Sequence, residues 1–253
     1  MFNLLIKIKD AIFDILFPPI CVNCRKYITQ SKQKITDISE LICAECLTRI
    51  KINTSLFCPF CRARLADNKK ICNHSKKNFP YYYFLAATGN YDDPILRNLI
   101  HCFKYRKFEN LAPLLGELTV NYFENLKLIG KSTDKPINYI IIPIPLHFWR
   151  EKQRGFNQSK LIAEYIAKKL NLRLVDNLKR AKNNKPQVES KNSEERNKNV
   201  EGIFKITNSD LIRGKNIILV DDVFTSGATI NEAVKILKEN GAKKIIALAI
   251  AKA

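Results

Sequence analysis

The chain has 253 residues, 46% of them hydrophobic, and a formal net charge of +19. That apolar content excludes global disorder, and the length suffices for one good-sized domain plus a small module. The excess charge sits in residues 1–80 (+8) and 151–253 (+9); it suits a polyanionic partner such as pyrophosphate, nucleic acid or an anionic surface. Lys, Asn and Ile abound throughout, so charge alone does not establish nucleic-acid binding.

The opening stretch MFNLLIKIKDAIFDILF begins like a signal peptide, but Lys7, Lys9, Asp10 and Asp14 interrupt it and no small-residue cleavage site follows. Phe2, Leu5, Ile6, Ile12, Phe13 and Leu16 fall on one face at helical spacing, which predicts a helix docked on the domain, with a membrane-surface helix as the alternative. No segment reaches the roughly 18 apolar residues needed to span a bilayer, so no transmembrane segment is expected.

Three CxxC pairs follow, Cys21/Cys24, Cys43/Cys46 and Cys58/Cys61, and then Cys72-Asn-His74. Two such knuckles can close a tetrahedral thiolate site around Zn²⁺. Sequential pairing gives a first site of Cys21, Cys24, Cys43 and Cys46, and a second of Cys58, Cys61, Cys72 and His74; cross-braced pairing is the alternative. The second site is the weaker signal, because a one-residue gap between Cys72 and His74 strains the ligand geometry. Four protein ligands leave no open position for water, so the zinc is structural, and a module this small needs metal to fold. Thiolate sites also fit a reducing cytoplasm. Cys102 lies outside the module in an apolar pattern and reads as a packed thiol.

A new pattern starts near residue 80, which divides the chain into residues 1–80 and 81–253. Phe84 to Gly89 and Tyr91 begin that pattern, and Pro94 to Leu118 reads as helical, with Lys104, Arg106 and Lys107 together in HCFKYRKFENLAPLLG. Asn138 to Pro145 is an apolar strand ending in prolines. PLHFWREKQRGFNQ then forms a basic loop with Arg150 and Arg154, and Asn157 caps a helix running to Leu170. Gly130-Lys131-Ser132 is not a P-loop, since the first glycine of that pattern would fall at Asn125. Residues 176–200 are polar and charged with almost no periodicity and read as a mobile loop or linker. Gly202 to Ile206 returns to a strand pattern.

The most informative segment is IILVDDVFTSGAT. Ile217 to Val220 is a continuous β-branched run, the pattern of a strand buried on both faces. Asp221 and Asp222 sit at its carboxyl end, where open α/β sheets bind ligands. Thr225, Ser226, Gly227, Ala228 and Thr229 form a small-residue turn that can aim N–H groups and hydroxyls at a phosphate, helped by the next helix N-terminus. Acceptors for sugar hydroxyls beside donors for a phosphate define a ribose 5-phosphate pocket. A helix from Ile230 to Asn240, capped at Gly241, and a last strand from Lys244 to Ala251 complete the pattern. Alternating strands and helices predict an α/β fold with a parallel sheet flanked by helices.

This segment resembles the phosphoribosyl-pyrophosphate (PRPP) motif of type I phosphoribosyltransferases. The resemblance implies that Asp221 and Asp222 contact the ribose 2- and 3-hydroxyls and that residues 225–229 hold the 5-phosphate. It implies that the loop carrying Arg150 and Arg154 receives the pyrophosphate, with guanidinium forks suited to phosphate oxygens. Mg²⁺ would accompany PRPP. A mobile loop over the site would draw on Arg180, Gln187, Arg196 and Asn199. The whole layout, from DILFPPICVNC through FKYRKFENLAPLL, IPIPLHFWREKQRGFNQS and RAKNNKPQ to VDDVFTSGAT, resembles the ComF family of competence-associated proteins. His74 departs from members with four full CxxC pairs. That resemblance implies phosphoribosyl transfer with catalytic roles for Asp221, Asp222, Arg150 and Arg154. The alternative is a non-catalytic PRPP or nucleotide sensor, or a module handling single-stranded DNA alongside DNA-uptake proteins. The sequence shows no pattern of an N-terminal catalytic cysteine or a glutamine amidotransferase domain, so the purine-pathway activity is not expected.

Overall fold

The computed structural model describes residues 19–28, 41–66, 72, 81–127, 139–181 and 201–253. The predicted N-terminal helix, His74, and Gln187, Arg196 and Asn199 lie outside them.

In chain order the elements are α1 (Ala44–Arg49), β1 (Phe84–Asn90), α2 (Pro94–Tyr105), α3 (Leu111–Leu126), β2 (Tyr139–Pro143), α4 (Phe148–Arg154), α5 (Gln158–Lys169), β3 (Arg173–Leu174), β4 (Leu178–Arg180), β5 (Phe204–Ile206), β6 (Asn216–Phe224), α6 (Ala228–Glu239) and β7 (Lys244–Lys252). Five strands form one parallel sheet in the order β1-β7-β6-β2-β3. The expected parallel α/β fold is what forms. β6 lies at the centre because its apolar run can be buried on both faces.

Period-two alternation divides the core. Ile218 and Val220 of β6 pack with Leu99, Phe103, Leu115 and Ile162 on the face covered by α2, α3 and α5. Ile217 and Leu219 pack with Ile230, Val234 and Leu237 of α6 on the other. β4 and β5 pair antiparallel as a separate two-stranded ribbon, with Leu178 opposite Ile206.

Four expectations are corrected. The helical stretch from Pro94 to Leu118 is two helices, because the chain turns at residues 106–110, with Lys107 at φ 56°. The basic loop after β2 contains α4, capped by His147 Nδ1 accepting from the Trp149 amide at 3.3 Å. Polar residues 176–200 begin with β4, which finds its backbone partners in β5 rather than in a periodic pattern of its own. The β6 strand does not stop at Val220 but carries both acids, with Asp221 opposite Ala249 and Val223 opposite Ala251 on β7.

The cysteine module adds to the sheet edge. The Phe57 and Leu85 amides donate to each other's carbonyls at 2.8 and 3.1 Å, and the Asn53 amide donates to the Thr88 carbonyl at 2.8 Å. This covers the open edge of β1. No helix among the described residues is long and apolar enough to cross a membrane.

Candidate functional site

The two acids emerge from the middle of the sheet and meet groups from three elements. The Asp221 carboxylate accepts from Ser159 Oγ of α5 at 3.3 Å and from the Asp222 amide at 2.8 Å. Asp222 pairs with Lys104 Nζ, at the end of α2, at 2.8 Å, and with Arg154, at the end of α4, at 3.8 Å. The side chains of Lys104, Arg154 and Asp222 expose 15, 10 and 14% of their surface, so these charges are matched where water is scarce. Burial, and next the neighbouring Asp222 charge, pushes the Asp221 carboxyl up to about 7. One acid is thus neutralised by cations and the other sits near its titration point at neutral pH.

The RGFNQ run accounts for how Arg154 reaches the site. Gly155, at φ 89°, ends α4 in the left-handed region that suits glycine. Phe156 packs on Phe103 at 5.3 Å between ring centres. Asn157 caps α5 as expected, its carboxamide oxygen accepting from the Lys160 amide while its Nδ2 donates to the Ile144 carbonyl. Gln158 Oε1 accepts from Arg154 at 2.9 Å, and the Arg154 guanidinium lies 5.3 Å from the Tyr105 ring centre. Arg150 is exposed on α4, and its charge together with burial lowers the pKa of Arg180 on β4, burial being the larger cause. The structure therefore brings Arg154 to the acids and leaves Arg150 on the surface.

Thr225 and Ser226 are exposed in the turn after β6. Gly227 caps α6 at φ 80°, and a Cβ there would lie 2.8 Å from Phe224 Cζ. Ala228 and Thr229 form the first turn of α6, which starts two residues earlier than the sequence suggested. The first amides of this helix have no intrahelical partner and sit next to the strand that carries the acids, an arrangement suited to an anion.

The cysteines cluster in the sequential pairing. The sulfurs of Cys21, Cys24, Cys43 and Cys46 all lie within 4.8 Å of one another, as do those of Cys58, Cys61 and Cys72. Cys24 and Cys43 sulfurs are 3.7 Å apart, and those of Cys61 and Cys72 are 3.8 Å apart. A tetrahedron built on Zn–S bonds of ~2.3 Å has edges of ~3.8 Å, so the first set fits zinc with four sulfurs and the second supplies three of the four ligands among the described residues. Asn23 Nδ2 donates to Cys46 Sγ at 3.3 Å and is itself held by Asn98 of α2, an outer layer that orients a ligand. Cys102 is buried and lies outside both clusters, as expected.

Sequence reasoning did not assign Lys104, Tyr105, Gln158 or Ser159 to the site. The KYRK cluster and the RGFNQ run were visible, but only the meeting of α2, α4 and α5 at the acids of β6 shows which of their side chains reach the site.

With the geometry in view, residues 157–253 match the phosphoribosyl transferase domain family. The matched residues run from α5 to β7 and include the acid pair, with β1, β2 and α2–α4 preceding them, so the chain carries a phosphoribosyl transferase domain. Over nearly the whole chain it is similar to Competence protein F of Haemophilus influenzae, at 26% identity over 235 residues, 92% of this chain and 96% of that protein. It is 28% identical over 212 residues to Competence protein ComFC of Bacillus subtilis, 80% of each chain. To DNA utilization protein YhgH of Salmonella typhi it is 26% identical over 229 residues, 90% of this chain and 94% of that one. The resemblance to the ComF family read from the sequence is borne out.

Proposed function

We propose that the protein binds PRPP with Mg²⁺ and transfers its phosphoribosyl group, releasing pyrophosphate. The observation that carries this reading is the pair Asp221 and Asp222 on the central parallel strand, one turn before the Gly227-capped start of α6. Asp221 and Asp222 accept from the ribose hydroxyls. Thr225, Ser226, Gly227, Ala228 and Thr229 hold the 5-phosphate. Arg154, fixed by Gln158 and Tyr105, and the exposed Arg150 meet the departing pyrophosphate. Mg²⁺, when bound with PRPP, supplies further neutralisation of that charge. The C1–oxygen bond to pyrophosphate breaks, a nucleophile on the acceptor forms the new bond to C1, and its proton passes to solvent. Positioning and charge neutralisation carry such a step with little covalent chemistry from the protein.

In this reading residues 1–80 are a structural metal module, residues 81–253 are the transferase-like domain, and the protein works in the cytoplasm. The relatives' names, competence and DNA utilization, together with the net charge of +19, favour a second reading. In it the same pocket senses PRPP or a nucleotide while the basic surface handles single-stranded DNA.

Thermal unfolding with Mg²⁺ and PRPP tests the first reading. At 100 times its dissociation constant a ligand stabilises by ~2.7 kcal/mol, a midpoint rise of roughly 5–11 °C for a chain of this size. The rise should vanish in an Asp221→Asn, Asp222→Asn double variant. No rise in the wild type at millimolar PRPP would remove the substrate and move the reading to nucleic acid, where affinity should fall steeply with salt.

A further inference from the structure

Two cysteine knuckles repeat one another. Cys21-Val22-Asn23-Cys24-Arg25 and Cys58-Pro59-Phe60-Cys61-Arg62 share the same spacing. The Arg25 amide donates to the Cys21 carbonyl at 3.0 Å, and the Arg62 amide to the Cys58 carbonyl at 2.9 Å. Cys21 and Cys58 in turn donate to Lys26 and Ala63 carbonyls, each at 2.9 Å. Both arginines take the left-handed region, at φ 64° and 61°, where glycine is favoured. The knuckles differ in what the guanidinium reaches. No side-chain hydrogen bond of Arg25 falls among the described residues. Arg62 forks across two carbonyls of the transferase domain: one terminal nitrogen donates to Thr225 O at 2.6 Å and the other to Ala253 O at 2.5 Å. The Ala253 amide donates in turn to the Phe224 carbonyl at 2.9 Å. The second knuckle, the end of β7 and the turn after β6 thus form one clasp.

We infer that Arg62 is a positioning residue for the phosphate-binding turn, so that metal loading of the second cysteine cluster sets the affinity of the pocket for the 5-phosphate. The inference rests on the PRPP reading. A trans peptide is planar, with its carbonyl and the following N–H on opposite sides. Holding the Thr225 carbonyl toward Arg62 therefore aims the Ser226 N–H the other way, and that amide has no partner among the described residues. A backbone donor held in place before the ligand arrives needs no reordering on binding. Arg62 directly follows Cys61 and is hydrogen-bonded to Cys58, so its own position depends on the sulfurs of Cys58, Cys61 and Cys72 staying together. Zinc held by these sulfurs would act on the ligand through Arg62 without touching it. In this device the coupling between the metal site and the pocket runs through a single two-pronged side chain.

The test compares Arg62→Gly with Arg25→Gly. Glycine suits the left-handed backbone of both knuckles, so neither variant should unfold its site, and zinc content per chain is measured to check this. Binding of ribose 5-phosphate and of inorganic pyrophosphate with Mg²⁺ is measured separately by calorimetry, along with hydrogen exchange of the amides in residues 225–228. Arg62→Gly should weaken ribose 5-phosphate about tenfold, the scale of one charge-assisted hydrogen bond. It should speed exchange at the turn and leave pyrophosphate binding unchanged; Arg25→Gly should alter none of these. Arg62→Lys, which keeps the charge but loses the fork, should fall between wild type and Arg62→Gly. Cys72→Ser, which opens the second cluster, should weaken ribose 5-phosphate in the wild-type background and add nothing to Arg62→Gly. Unchanged ribose 5-phosphate affinity and exchange in Arg62→Gly would overturn the inference. So would equal losses for both ligands, which mark general damage. Wild type binding neither ligand would instead overturn the PRPP reading, and the inference with it.

Discussion

Lys104 Nζ lies 2.8 Å from Asp222 Oδ1, joining residues 118 positions apart in sequence. The contact ties the last turn of α2 to the centre of the sheet and, among the described residues, supplies the closest cation to Asp222. Two neighbouring carboxylates repel in a poorly hydrated site, and Lys104 makes their coexistence tolerable. Lys104→Met should destabilise the unliganded protein by about 1–3 kcal/mol, because Asp222 keeps only the longer contact to Arg154. Adding Asp222→Asn should restore most of that loss. Urea denaturation of the wild type, both single variants and the double variant measures the coupling. Strictly additive effects would show that the pair does not interact.

The second prediction concerns pH. The Asp221 carboxyl is raised from 3.8 to about 7, first by burial and then by Asp222. The folded state therefore holds this proton more tightly than the unfolded chain. The group's stabilising contribution is fully present below its unfolded value and is lost as pH rises through about 7. Asp221→Asn mimics the protonated form. Its unfolding midpoint should rise relative to the unliganded wild type as pH increases from 5 to 8, while its response to PRPP disappears. PRPP binding to the wild type should tighten over the same window and release protons, detectable by calorimetry in buffers of different ionisation enthalpy. A wild-type-minus-variant difference that stays flat with pH would show that Asp221 titrates as an ordinary carboxylate.

Metal content gives the third. Sulfur spacings of 3.7 and 3.8 Å match tetrahedral edges in both clusters, so the purified protein should carry two zinc ions per chain with Zn–S distances of ~2.3 Å by X-ray absorption. Cys46→Ser should remove one ion and lower the unfolding midpoint, since the cluster packs into the same core as α2. Asn23→Ala should retain the ion but weaken it about 10–100-fold against a competing chelator, the usual effect of losing an outer hydrogen bond. A single ion per chain, unaffected by His74→Ala, would show that the second cluster does not close.

How much of this was legible in the sequence follows from the range of the interactions. The strand at Ile217 to Val220, the acid pair, the small-residue turn and the CxxC spacings are local, and each was readable because one short segment holds the whole signal. The strand's continuation through Asp221 to Phe224 was not, because polar residues broke the apolar pattern while backbone pairing to β7 carried on beneath them. The break between α2 and α3 was hidden because residues 106–110 bring no proline or glycine; positive φ at Lys107 makes the turn. Ser159 on Asp221 and Lys104 on Asp222 depend on helix crossings that no single segment encodes. Arg62 was unreadable for the same reason: its partners lie 163 and 191 residues away.

The turn at Gly227 offers the last prediction. Two constraints meet there. Its φ of 80° is one that residues with a side chain rarely adopt, and a Cβ would sit 2.8 Å from Phe224 Cζ. Phe224 is buried and cannot swing away without opening the core against α6. Gly227→Ala should therefore cost about 1–3 kcal/mol in urea denaturation. Phe224→Leu in the same chain removes the ring contact but not the backbone cost, so it should recover only part of the loss beyond its own effect. The two costs are separable because one is steric and the other conformational. The amides that begin α6 would also be displaced, so the PRPP-induced rise in unfolding midpoint should shrink in Gly227→Ala while zinc content stays constant. A variant with wild-type stability and wild-type PRPP response would show that the turn tolerates a side chain and that its glycine is not what shapes the phosphate site.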